Sequence, residues 1–163
     1  MVMYEIGEKI VYPMHGAGII VDIEEKEVFG QTLDYYILKM PFEDMRVMIP
    51  VKTASNVGLR HVIDHVEVDE VLEYFKTYDE EENSNWNKRY RENVDRIKTG
   101  NIYSVAQVVK MLMCRENERG LSTGERKMLI SSKQILISEL VLAKGLDSEQ
   151  LEGELDQIVK KLA

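Results

Sequence analysis

Two periodicities divide the chain. Up to about residue 62 the apolar positions come in short runs or alternate with polar ones, broken by Pro and Gly, the signature of extended strands. Lys9-Ile10-Val11-Tyr12 predicts a strand ended by Pro13. Ile19, Val21 and Ile23 alternate with Ile20, Asp22 and Glu24, the period of a half-buried strand. Phe29-Gly30-Gln31 reads as a turn, and Tyr35-Tyr36-Ile37-Leu38 has the aromatic and β-branched content that strands favour. Arg46-Val47-Met48-Ile49, ended by Pro50, and Gly58-Leu59-Arg60-His61-Val62 complete the set. Five short strands in about 60 residues predict a small, strongly bent sheet or barrel.

From about residue 66 the apolar spacing becomes three or four, which predicts helices. Val68, Val71, Leu72 and Phe75 mark the first, and an acidic connection follows from Asp79. Trp86, Tyr90, Val94 and Ile97 form the next stripe, with Ser84 or Asn85 as its cap and Gly100 as its stop. Asn101 caps a third helix with Val105, Val108, Val109 and Leu112 inward. Ser122-Thr123-Gly124-Glu125 matches the capping box S-x-x-E and opens a helix using Met128, Leu129, Leu136 and Leu140. A last helix starts near Asp147 and places Leu151, Leu155, Ile158 and Leu162 inward. The expectation is an α+β chain, with a β domain over 1–62 and a helical bundle over 66–163.

Charge changes this picture. The chain is net −8, which by itself disfavours a polyanionic partner. The average conceals an asymmetry: residues 64–82 carry nine acidic groups against one basic, and residues 83–138 carry eleven basic against five acidic. A local field rather than the sum attracts a polyanion, so the second of these segments is the candidate phosphate-facing surface. Cys114 is the single cysteine, which fits a reducing cytoplasm. The N-terminus does not read as a secretion signal, and no apolar run approaches the roughly 20 residues that span a bilayer.

Reactive constellations are absent. There is no phosphate-binding glycine motif, and Gly16-Ala17-Gly18 reads as a turn. His61 and His65, with Asp64 beside them, have a spacing compatible with a metal but fall short of the roughly four ligands of a closed zinc site; two solvated histidines is the simpler reading. Cys114 lies mid-helix, and His15 sits in a turn without an acid–base partner. Neither an enzyme nor a cofactor is expected.

What chemistry there is lies in Asn83-Ser84-Asn85-Trp86-Asn87-Lys88-Arg89-Tyr90-Arg91, which holds the only tryptophan. An indole at a helix start, followed by Lys88, Arg89 and Arg91, can set an aromatic plate against a nucleobase while the cations hold phosphates. The competing reading makes Trp86 the first core residue of its stripe. A second basic set comprises Lys110, Arg115, Arg119, Arg126, Lys127 and Lys133. Arg126 and Lys127 sit near a helix start, where positive charge is unfavourable unless an external anion compensates. Such residues position a protein on DNA without reading bases. In the β domain, Arg46 and Met48 share one strand face and Lys26 lies further along the second strand; an open edge there would accept a partner.

The segments Ile6-Gly7-Glu8-Lys9-Ile10-Val11-Tyr12-Pro13-Met14-His15-Gly16-Ala17-Gly18, Met48-Ile49-Pro50, Asn85-Trp86-Asn87-Lys88-Arg89-Tyr90 and Glu118 to Leu129 together resemble the CarD/CdnL family of bacterial transcription regulators. The resemblance implies a Tudor/SH3-like five-stranded domain that docks on the RNA polymerase β subunit through Lys26, Arg46 and Met48. It also implies a helical domain at the upstream edge of the promoter bubble, a functional monomer, and association with the nucleoid through polymerase. Trp86 matches the family's minor-groove wedge, Lys88 and Arg91 match its basic contacts, and Arg126 with Lys127 matches a further basic site; Arg89 joins this set. Lys26 and Met48 stand where some members carry arginine, and neither repeats a bidentate guanidinium contact. The alternative is a protein-only adaptor without DNA contact, to be preferred if Trp86 is fully buried and the cations of residues 88–133 fail to share a face.

Overall fold

The computed structural model describes residues 4–42 and 44–161. The predicted core position Leu162 lies outside them. Strands β1 (Lys9–Tyr12), β2 (Gly16–Val28), β3 (Gln31–Lys39), β4 (Arg46–Pro50) and β5 (Arg60–His61) form one antiparallel sheet in the order β4-β3-β2-β1-β5. Helices α1 (His65–Thr77), α2 (Trp86–Lys98), α3 (Ile102–Glu118), α4 (Thr123–Lys144) and α5 (Ser148–Lys161) follow. This is the α+β arrangement expected of the chain.

The sheet closes one core around Ile10, Ile20, Tyr36, Leu38 and Ile49. The predicted alternation in β2 needs correcting. Ile20 pairs with Leu38 and Asp22 with Ile37, so Val21 is an extra residue in a bulge. Ile20, opposite Leu38, is the buried position rather than Ile19, and Ile23, past the bulge, is exposed. Beyond the Glu24–Tyr35 pair, β2 and β3 run on as a hairpin that neither β1 nor β4 accompanies, with Phe29 fully exposed at its tip.

The helical domain has its own core, built on α3 and α4 with Val71, Phe75, Leu112, Leu136, Leu140 and Leu155. Three of the predicted starts are capped by side chains: Asn85 accepts from the Lys88 N–H, Asn101 from Tyr103 and Ser104, and Ser122 from Glu125.

The two domains meet along a polar and closely packed seam. Cross-strand neighbours Ala17, Val11 and Arg60 share the sheet face that meets the helices. The Ala17 N–H donates to Ser138 Oγ at 2.9 Å, and Lys9 Nζ to the Leu142 carbonyl at 2.9 Å. Arg60 grips Glu139 through two bonds of 2.6 and 2.7 Å and the Gly100 carbonyl through two of 3.0 and 2.7 Å. A Cβ at Gly16 would lie 2.9 Å from Ser138 Oγ, and one at Gly100 2.9 Å from Pro13 Cγ; both glycines also have positive φ. The Pro13–Gly16 turn thus belongs to the contact between domains.

Candidate nucleic-acid interface

One end of the helical domain gathers the starts of α2 and α4. Their free N–H groups carry the positive pole of each helix dipole outward, and α2 has no acidic residue in its first turn. Trp86, the first residue of α2, is 42% exposed. Its ring stacks on Tyr90, centroids 5.1 Å apart at 15°, and Nε1–H donates to Ser122 Oγ at 3.1 Å. Gly124 lies against the same edge of the indole: a Cβ there would stand 3.8 Å from Cζ2. One face and one edge are therefore held, while the residue as a whole remains 42% exposed. Trp86 is not a core residue.

A buried network holds this arrangement. Ser122 Oγ caps α4 and donates to Glu125 Oε1 at 3.1 Å. Arg89 Nε donates to Glu125 Oε2 at 3.0 Å, and Arg89 also donates to the Asn83 carbonyl at 2.9 Å. Arg115 Nε stands 3.9 Å from the same carboxylate. Burial pushes the Glu125 carboxyl up, but Arg89, Ser122 and Arg115 outweigh it and hold it below the ordinary carboxylate range. The capping box is only half realised: Glu125 turns inward to Arg89 instead of back to the Ser122 backbone.

Arg89 therefore leaves the set of surface cations. It is 3% exposed, and its guanidinium is taken up by Glu125 and Asn83, so it does not present itself to a phosphate. Lys88, Arg91, Arg126 and Lys127 are exposed; Arg126 has a loose contact of 3.9 Å with Glu116. Three members of the second basic set are also engaged internally. Lys110 is buried and donates to the Lys76 carbonyl at 2.8 Å. Arg115 pairs with Glu82 at 2.5 Å, and Lys133 with Glu152 and Asp156 at 3.2 and 3.4 Å. The acidic connection is laced onto the bundle by Glu82–Arg115 and by Glu80–Arg96 at 3.1 Å. Much of the segment's positive surplus thus neutralises the protein itself.

On the β domain, Arg46 and Met48 are exposed on one face of edge strand β4. Cross-strand register puts Lys26 on that same face but out on the hairpin, opposite Leu33 and beyond the last β4 pair, Tyr35 with Pro50. Lys26 is 3.7 Å from Glu24. The three share a face without forming a cluster.

Sequence reasoning missed Ser122 and Glu125 as the supports of the indole. A cap at one helix start and a tryptophan at another carry no mark that they meet, although both lie next to glycine-rich or polar breaks. The residues considered for reactive chemistry have structural settings. His61 Nε2 is 3.5 Å from Glu8 Oε2, and His15 lies against Tyr12. Burial pushes the Cys114 thiol up, with Lys110 opposing. Among the described residues no group of three or more His, Cys, Asp or Glu side chains is placed to hold a metal ion. No helix among them is long and apolar enough to cross a membrane.

Two family models match the chain: "CarD-like/TRCF RID domain" over residues 4–63 and "CarD, C-terminal domain" over residues 70–156. Over 151 residues the chain is 40% identical to "Putative transcription factor YdeB" of Bacillus subtilis (strain 168), covering 93% of this chain and 99% of that protein.

Proposed function

The chain belongs to the CarD family of transcription regulators, and from that premise we propose that it docks on the RNA polymerase β subunit and braces open promoter DNA. The face bearing Lys26, Arg46 and Met48 meets polymerase. The tip of the helical domain meets the upstream edge of the bubble. There the exposed part of Trp86 presses into the minor groove, and Lys88, Arg91, Arg126 and Lys127 hold flanking phosphates. None of these groups reads base edges, so the contact selects distorted or unstacked DNA rather than a defined sequence.

The observation that carries this reading is the exposed, pre-set indole among exposed cations and two helix starts. A wedge must offset an unstacking cost of a few kcal/mol per base step. A ring already fixed by Tyr90 and Ser122 loses little further freedom on insertion. The net charge of −8 opposes capture of DNA from solution, and docking on polymerase would supply the local concentration that weak DNA contacts need. The adaptor reading would be preferred with a fully buried indole and cations on different faces, and the 42% exposure of Trp86 does not favour it.

Trp86→Ala tests the proposal. It is expected to leave polymerase binding intact and to shorten the open-complex lifetime roughly tenfold, given the ~1–3 kcal/mol that aromatic stacking contributes per base. A lifetime equal to that of the wild type would refute the wedge.

A further inference from the structure

We infer that Glu139 is a positioning residue: gripped by Arg60, it fixes the angle between the two domains and so sets where Trp86 stands once the β domain is docked. This rests on the function proposed above.

Glu139 is 3% exposed and sits in the seam rather than in either domain's apolar core. It accepts three hydrogen bonds: both terminal nitrogens of Arg60, at 2.6 and 2.7 Å, and the Ile63 N–H at 3.0 Å. The same guanidinium donates to the Gly100 carbonyl, between α2 and α3. One side chain of β5 therefore holds α4 and the end of α2 at once. These are the two helices whose starts form the tip, α2 with Trp86 and α4 with the Ser122 cap.

The chemistry of the contact suits orientation better than adhesion. A buried ion pair is often no more stabilising than apolar residues of equal volume, and the apolar side chains of Val11, Pro13, Ile97 and Ile135 already line a small gap at the seam. What a bidentate guanidinium–carboxylate pair adds is planarity and direction. Leverage makes direction matter. From Glu139 to the start of α4 is about 24 Å at 1.5 Å per residue, so a rotation of ~10° at the seam displaces the tip by ~4 Å. That exceeds the ~3.4 Å between successive base steps. A wedge carried by a loosened seam would meet the wrong step.

The test uses the full chain, polymerase and a promoter fragment. Glu139→Gln keeps the shape but removes the charge and turns one of the two acceptor oxygens facing Arg60 into a donor. Polymerase affinity is expected to stay within twofold and each domain to remain folded. Residual dipolar couplings should show the domains no longer sharing one orientation, and the open-complex lifetime should fall at least fivefold. Combined with Trp86→Ala, the variant should shorten the lifetime no further than Trp86→Ala alone. A merely structural contact would not give that non-additivity. If Glu139→Gln does not fold, Arg60→Gln, altered on the partly exposed partner, carries the same test. The inference is overturned if the domains keep a common orientation, or if the lifetime matches the wild type while Trp86→Ala shortens it. Should Trp86→Ala itself have no effect, the parent reading falls and takes this one with it.

Discussion

Two arginine–glutamate pairs sit at opposite ends of α4, and they serve different ends. At the tip, Arg89 and Glu125 are both almost completely buried, with side-chain exposures of 3% and 2%. At the seam, Glu139 is buried but Arg60 keeps 33% of its side chain exposed. The first pair lies within one domain and sets the frame of a side chain that must stay outside. The second spans two domains and sets how one stands on the other. Similar chemistry in one helix thus shapes a surface in one place and a geometry in the other.

Breaking each pair from the glutamate side should separate them most widely. Glu125→Leu leaves a buried guanidinium without its carboxylate and is expected to cost about 3–5 kcal/mol. Glu139→Leu, whose arginine retains contact with water, should cost less, about 1–2 kcal/mol. Urea unfolding followed by circular dichroism compares the two directly, and equal losses would erase the distinction. Acid should sharpen it. Because the Glu125 carboxyl is held low in the folded state, its contribution is fully present above the ordinary carboxylate value of about 4.3 and is lost as pH falls through the depressed one. Trp86 is the only tryptophan, so its fluorescence should change only as pH falls below the ordinary carboxylate value of about 4.3 and lose that component in Glu125→Gln. The smallest effect on stability is expected at the exposed cations. Lys127→Ala should alter unfolding by less than about 0.5 kcal/mol, yet lower the salt dependence of DNA binding by about 0.9 in slope.

Much of the architecture was legible because it is local. Prolines after Tyr12 and Ile49, and side-chain caps at Asn85, Asn101 and Ser122, act on their own neighbours. The bulge at Val21 escaped because strict alternation assumes one residue per partner, and β2 sets two against one. Arg89 escaped for a different reason. Arg89, Asn93 and Ile97 lie on one buried stripe, but hydrophobic periodicity does not count polar residues as inward. Its true partner lies 36 residues away, in a motif that reads as a finished cap without it. The seam was hidden by distance: Arg60 and Glu139 are 79 residues apart, and nothing near either one announces the other.

α4 runs unbroken from Thr123 to Lys144, so the wedge end and the seam end are in phase with one another. Adding one residue between Met128 and Ile135 would advance the tip by only about 1.5 Å but turn it by about 100°. Ser122 and Glu125 would swing away from Trp86 and Arg89 while Ser138 and Glu139 kept their hold on the sheet. The number of residues in this helix is therefore under as strict a constraint as their identity, and a change in its length is one that substitutions elsewhere would not repair.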